Sequence, residues 1–298
     1  MASTAIMDIG IDRGVFVRGT PLWLDAQRKK SHVIVSGLED RLPSRHQRLL
    51  TSIPIAAMLD RAGLQAGVLP ATFRQWMGFG GRQVQLVELN SKGGETGVLL
   101  DDGIRRTLVL SNLNPQLDAL PPVEHLVLRA TGLEHCGDGL ETVLSGLLED
   151  EKAGQRTVLR VETLEVGLST IHLLEQMGVS VAAVGLLGRL LGRTKAKRSA
   201  WQVAFVKDKL KAGDREILLD TGRGRFTSAK RVKVGYYGGY EKLADVLKIT
   251  RATALTLHDV DHTMTLPPSL GESLSLTLHH PPEKSLSLGF EALGSLSL

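Results

Sequence analysis

The stretch Thr157-Val158-Leu159-Arg160-Val161 is a short apolar run set between two segments of different period, Leu140 to Glu151 and Gly167 to Met177. In both flanks Leu, Ile or Val recur at helical spacing, whereas the run itself is too short and too rich in Val for a helix. Helix, strand, helix in succession is the pattern of α/β layers. Val179 to Val184 extends it as a further strand.

Towards the N-terminus the pattern becomes strands and turns. Gly14 to Gly19 followed by Pro21 to Asp25 reads as a hairpin, and Ser31 to Ser36 as a buried strand. Ser44 to Ala62 reads as a helix with Ser44 as its cap and Gly63 beyond its end. A second hairpin runs from Gln83 to Leu100 and turns at Gly93-Gly94, and Arg106 to Ser111 returns after the turn Asp101-Asp102-Gly103. His125 to Ala130 is another strand. Towards the C-terminus, Glu241 to Leu247 reads as a short helix and Ala252 to His258 as a strand. The expectation is a two-sheet core with outer helices.

Composition narrows the class. The chain has 298 residues, of which 42% are hydrophobic and only 4% aromatic, so the core is built from Leu, Val, Ile and Ala. Cys136 is the single cysteine, which excludes an intrachain disulfide and a cysteine-based zinc cluster. The longest apolar run, Val179 to Leu187, falls short of the ~20 residues of a spanning helix. Met1 to Gly10 lacks the basic flank of a secretory signal. A cytoplasmic protein without a membrane partner is expected.

The net charge of +4 conceals an uneven distribution. Between Arg189 and Lys233 fourteen basic residues face four acidic ones, a net +10, which leaves −6 for the remainder. The basic candidates are Arg189, Arg193, Lys195, Lys197, Arg198, Lys207, Lys209, Lys211, Arg223, Arg225, Lys230, Arg231 and Lys233, besides Arg215. Such a concentration suits DNA or RNA, because neutralising several phosphates releases counterions. Trp201, Phe226, Tyr236 and Tyr237 are interleaved and able to stack on bases. An acidic protein surface or a merely solvated face accounts for the same charges.

Other constellations are thinner. His258-Asp259-Val260-Asp261-His262 is the densest run of ligand-type residues, but on a strand its two imidazoles stand about 13 Å apart. His135-Cys136-Gly137-Asp138 and His279-His280 read as polar turns. Gly78 to Arg82 and Gly235 to Gly239 are Gly-rich without the lysine and hydroxyl of a P-loop. No residue set makes a case for catalysis or for a cofactor. Ser-Leu-Ser-Leu recurs at 273–276, 285–288 and 295–298, an alternation that suits either a meander closing the chain's own core or an edge that pairs with a second copy.

Several stretches taken together carry a resemblance. They are Gly14 to Asp25, Val33 to Ser36, Arg48 to Ala62 with its Thr51-Ser52-Ile53-Pro54, Gly97 to Gly103, Asn114 to Pro122, His125 to Thr131, Gly154 to Leu159, Gly235 to Leu247 and Ala254 to His258. In order and pattern they resemble the metallo-β-lactamase fold, and within it the β-CASP-type nucleases that process RNA and DNA ends. The resemblance implies an αββα sandwich formed by residues 1–160 and 234–270, a small inserted basic α/β region over 161–233 and a β-rich tail over 271–298. It also implies a dinuclear metal site, and there the chain departs from the pattern. Where the family's first loop has its histidines and aspartate, this chain has Gly37, Glu39, Arg41 and Leu42. Ser91, Asn112 and Tyr237 stand at further ligand positions, Arg129 replaces a glutamate, and only His258 keeps the residue type. The resemblance therefore implies a degenerate member without metal or catalysis, working as a nucleic-acid-binding or scaffolding subunit beside a catalytic partner. Self-assembly through the tail and a hydrolase with a metal site relocated near His258 and His262 are the alternatives.

Overall fold

The computed structural model describes residues 9–39, 45–64, 67–111, 120–130, 138–151, 155–192, 201–209, 214–220, 230–234, 239–260 and 274–279. The chain opens with strands β1 (Ile9–Ile11), β2 (Val15–Val17), β3 (Leu22–Leu24), β4 (His32–Val35) and β5 (Arg48–Ser52), followed by helix α1 (Ile53–Arg61) and strand β6 (Val68–Ala71). Next come β7 (Met77–Phe79), β8 (Arg82–Glu88), β9 (Thr96–Asp101), β10 (Arg106–Leu110) and β11 (His125–Arg129). The middle comprises α2 (Leu140–Glu149), β12 (Thr157–Val161), α3 (Leu164–Gln176), β13 (Val181–Ala183), α4 (Gly185–Leu190), β14 (Trp201–Phe205), β15 (Arg215–Asp220) and β16 (Lys230–Lys233). Helix α5 (Gly239–Thr250) and strands β17 (Ala254–His258) and β18 (Ser275–His279) complete the described elements.

The strands form three sheets. Sheet one takes β1 to β6 in chain order, antiparallel as far as β3 and parallel from there on. Sheet two has the order β18-β17-β11-β10-β9-β8-β7, with parallel pairing on the β18 side and antiparallel pairing from β10 to β7. Sheet three is wholly parallel, in the order β13-β14-β12-β15-β16.

Side-chain alternation explains how the layers meet. Sheets one and two face each other across Val15, Val17, Leu22, Leu24, Ile34, Val98, Leu100, Val109 and Val127. On the far side of sheet two, Leu126, Leu128, Leu255 and Leu257 pack with Leu243 and Val246 of α5. On the far side of sheet one, Val33, Val35 and Leu49 share a core with Ile55 and Leu59 of α1, Leu144 of α2, Leu164 and Ile171 of α3 and Leu187 of α4. That core continues into Leu159, Val203 and Ile217 of sheet three.

This arrangement corrects the αββα sandwich with a small insert. The helices flanking sheet one are not an outer solvent-facing layer, because they lie in a core shared with a third sheet of five strands. All five residues of β12 and of β14 are buried, the state of a parallel sheet covered on both faces. Of the expected β-rich tail over 271–298 only residues 274–279 are described. Within the described residues it is one strand, β18, paired in parallel with β17 as part of sheet two.

Local readings are also adjusted. The helix expected from Ser44 is a strand up to Ser52, since Leu49, Leu50 and Thr51 pair with Val33, Ile34 and Val35. The helix begins where Pro54 fits its first turn and Ser52 Oγ accepts from the Ile55 amide. Ser44 lies outside the described residues. Among the described residues no helix is long and apolar enough to cross a membrane.

Candidate functional site

At the ends of β3 and β4 where Leu24 and Val35 give way to loops, a cleft of about 280 Å³ opens between sheets one and two. Six chain segments supply its polar wall: the β1–β2 turn with Arg13, the segment after β3 with Asp25 and Arg28, the segment after β4 with Ser36, Gly37 and Glu39, and the ends of β10, β11 and β17 with Ser111, Arg129, and His258 and Asp259. Parallel pairing sets Arg129 beside His258, and His258 beside His279 of β18.

Arg129 is the electrostatic centre. Its Nη1 donates to Glu39 Oε1 at 2.6 Å and its Nε to Asp259 Oδ2 at 2.8 Å. Burial works against the guanidinium charge, but Glu39 and Asp259 outweigh it and hold Arg129 protonated well above its ordinary range. Burial likewise opposes ionisation of Asp259, yet the His258 hydrogen bond and the Arg129 charge hold its carboxyl far below the usual carboxylate range. Glu39 belongs to sheet one's side and Arg129 to sheet two, so the pair also ties the two sheets together across the cleft.

Asp25 behaves oppositely. Burial pushes its carboxyl up, although it accepts from the Ser111 and Ser36 hydroxyls, each at 2.5 Å, and from the Ser36 amide at 2.7 Å. The two hydroxyls are 2.8 Å from each other. Two aspartates a few residues of wall apart thus have carboxyls displaced in opposite directions, one by burial and the other by a fixed cation.

The backbone is distorted here too. Six non-glycine residues have left-handed φ among the described residues, and three of them, Arg13 (+50°), Asp25 (+48°) and Asp259 (+57°), line this cleft. Each such residue costs on the order of 1–3 kcal/mol, and strain of this kind concentrates where a side chain must be aimed. Gly14 lets two of the loops close up, since a Cβ there would lie 2.8 Å from Ala26 Cα.

The positions singled out by the resemblance fare unequally. Gly37, Glu39, Arg129 and His258 meet in the cleft. Ser91 does not line it, and its Oγ accepts from the Glu95 amide at 2.8 Å. Arg41, Leu42, Asn112 and Tyr237 lie outside the described residues. A metal would need three or more free ligands, and among the described residues no group of three His, Cys, Asp or Glu side chains is placed to hold one. Glu39 and Asp259 are engaged by Arg129.

The basic candidates spread over sheet three. Arg189 is exposed in the last turn of α4, and Lys207 and Lys209 follow β14. Lys230, Arg231 and Lys233 are exposed on β16, the edge strand, three strand steps or roughly 14 Å from β14. Some are compensated: Arg231 pairs with Asp220 at 3.0 Å and Lys230 approaches Asp150 at 3.9 Å. Arg193, Lys195, Lys197, Arg198, Lys211, Arg223 and Arg225 lie outside the described residues, as do Asp261, His262, His135, Cys136 and His280. The sequence reading missed Arg13, Asp25, Ser36 and Ser111 as site residues, and held Asp259 only as part of the run from His258 to His262. Their one local signal is a position at the end of an apolar strand, which many polar residues share.

No family model and no curated protein sequence matches the chain. Among solved structures it is similar to a protein of unknown function from Enterococcus faecalis V583, with 12% identity, a TM-score of 0.53, and 87% of this chain and 81% of that one covered. At that identity the likeness concerns the fold alone.

Proposed function

We propose that the chain is a metal-free binding protein rather than an enzyme, serving as a nucleic-acid-binding or scaffolding subunit in DNA or RNA processing or repair. The observation that carries the first half is Arg129, a permanent cation fixed between Glu39 and Asp259 where six segments of chain converge. A dication brought to these carboxylates meets a guanidinium already paired with both. The nucleic-acid half is supported by the exposed Lys230-Arg231-Val232-Lys233 edge and by the net +10 of the segment that contains it.

Filter binding of single- and double-stranded DNA and RNA across a salt series tests it. The expected result is sequence-independent binding that weakens steeply with salt. Combining Lys195→Ala, Lys197→Ala and Arg198→Ala lowers the slope of log affinity against log salt by about 2–3. Undetectable binding at low salt removes the nucleic-acid half, and stoichiometric zinc, manganese or iron in untagged protein removes the metal-free half. One observation favours a second reading, self-assembly: among the described residues β18 is an edge strand of alternating polar and apolar residues, Ser275 to His279. Truncation after Leu270 followed by sizing separates the two, since an unchanged mass leaves the tail as internal packing.

A further inference from the structure

A second concavity lies at the opposite end of the strands that build the cleft. It opens between the sheets where β6, the edge of sheet one, comes near β7, the edge of sheet two, and a bridge from Phe73 to Leu86 spans the two. Its volume is about 340 Å³, and its apolar wall includes Leu22, Ile34, Leu50, Leu69, Met77 and Phe79. Leu69 is 51% exposed there, and Trp76, next to Met77 in the chain, is 37% exposed. Exposed large apolar residues gathered around a concavity mark a binding surface, unlike the same residues scattered singly.

Two polar groups share this wall. Arg48, the first residue of β5, is exposed and makes no ion pair among the described residues. His32 lies with its ring edge-on to Phe79 at 5.3 Å, and its Nδ1 is buried without a hydrogen-bond partner among the described residues. A buried ring nitrogen without a partner is costly to the fold. Among the described residues no Asp or Glu lines the groove.

We propose that this groove binds an amphipathic anion, an aliphatic chain ending in a carboxylate. The chain lies on Leu50, Leu69, Met77 and Phe79, and the carboxylate meets the Arg48 guanidinium at the wall that His32 shares. The charge selects the head group, since among the described residues the ionisable ones in the wall are a cation and an imidazole. Its volume of about 340 Å³ lies in the range of small-ligand sites. Strand addition by a peptide is opposed by Pro70, which interrupts the donor row of the β6 edge. The site is independent of the nucleic-acid reading, and neither stands or falls with the other.

Titration of the full chain with decanoate, decanol and decylamine, below the concentrations at which they self-associate, tests the proposal by calorimetry and by tryptophan fluorescence. Decanoate is expected to bind saturably and at least about tenfold more tightly than decylamine. Arg48→Gln should weaken decanoate about tenfold and leave decanol unchanged, with an unaltered urea midpoint showing that the fold is intact. Trp76→Phe should abolish the fluorescence response while calorimetry still detects binding. Absence of saturable binding, or equal affinity for the carboxylate and the amine, overturns the proposal. So does a wild-type dimer that Leu69→Glu dissociates, because the groove then belongs to a second copy of the chain.

Discussion

The two ends of β3 and β4 are built on opposite physical principles from the same two sheets. Where Leu24 and Val35 end, the space between the sheets holds an ion triad, a buried aspartate with two hydroxyls, and three left-handed residues. Where Leu22 and His32 begin, it holds Leu50, Leu69, Met77 and Phe79, with one guanidinium at the rim. One end spends backbone strain and desolvation to aim charges, whereas the other leaves apolar surface uncovered. The difference teaches that a sandwich can carry two unlike sites without altering the layers, because each end is composed by loops and edges while the strands between them keep one register.

The largest expected effect comes from removing the cation. Arg129→Met leaves Glu39 and Asp259 facing each other without a counter-charge, and should cost about 2–4 kcal/mol at neutral pH. That is below the figure for a fully buried pair, because both carboxylates are about one third exposed. Adding Glu39→Gln and Asp259→Asn to Arg129→Met should restore most of the loss in urea unfolding. If the triple variant is no more stable than the single one, Arg129 acts through packing and the electrostatic contrast between the ends is lost.

The two aspartates should respond to pH with opposite signs. Asp259 is held below its ordinary range, so its contribution is present above the unfolded value of 3.8 and fades as pH falls towards the folded one. Asp259→Asn should therefore cost on the order of 1–2 kcal/mol at pH 7 and less at pH 3. Asp25 is raised, so its contribution is complete below 3.8 and is lost as pH rises through the folded value. Asp25→Asn should then be more costly at pH 3 than at pH 7. Urea midpoints of both variants and the wild type at the two pH values decide it, and parallel trends would break the assignment.

What was legible in the sequence follows from where the determining contacts lie. Hairpin β8–β9 and strands β4, β10 and β11 were readable because alternation and adjacent turns are local properties. Sheet three was half readable: Thr157 to Val161 stood out between two helices, but Trp201 to Phe205 and Ile217 to Leu219 were hidden inside a segment whose charge dominated the reading. Gly37, Glu39 and His258 were reachable as positions through the resemblance. Asp259 stood in the densest run of ligand-type residues, but Asp25 and Ser111 were not reachable, because nothing local announces that two strand ends 86 residues apart will share one wall. The placement of His279 beside His258 depends on a parallel register between β17 and β18, which spacing alone does not reveal.

The smallest effect is expected at the apolar end, and its smallness is informative. Leu69 is half exposed, so Leu69→Gln removes little burial and should change stability by less than about 0.5 kcal/mol. Ile34, fully buried in the same wall and packed between the sheets, should cost about 2–4 kcal/mol as Ile34→Ala. On the proposed groove, Leu69→Gln should weaken decanoate binding severalfold while the thermal midpoint stays within a few degrees. A large loss of stability in Leu69→Gln would instead show that the groove wall is ordinary core, and the contrast between the two ends would reduce to polar site and packing.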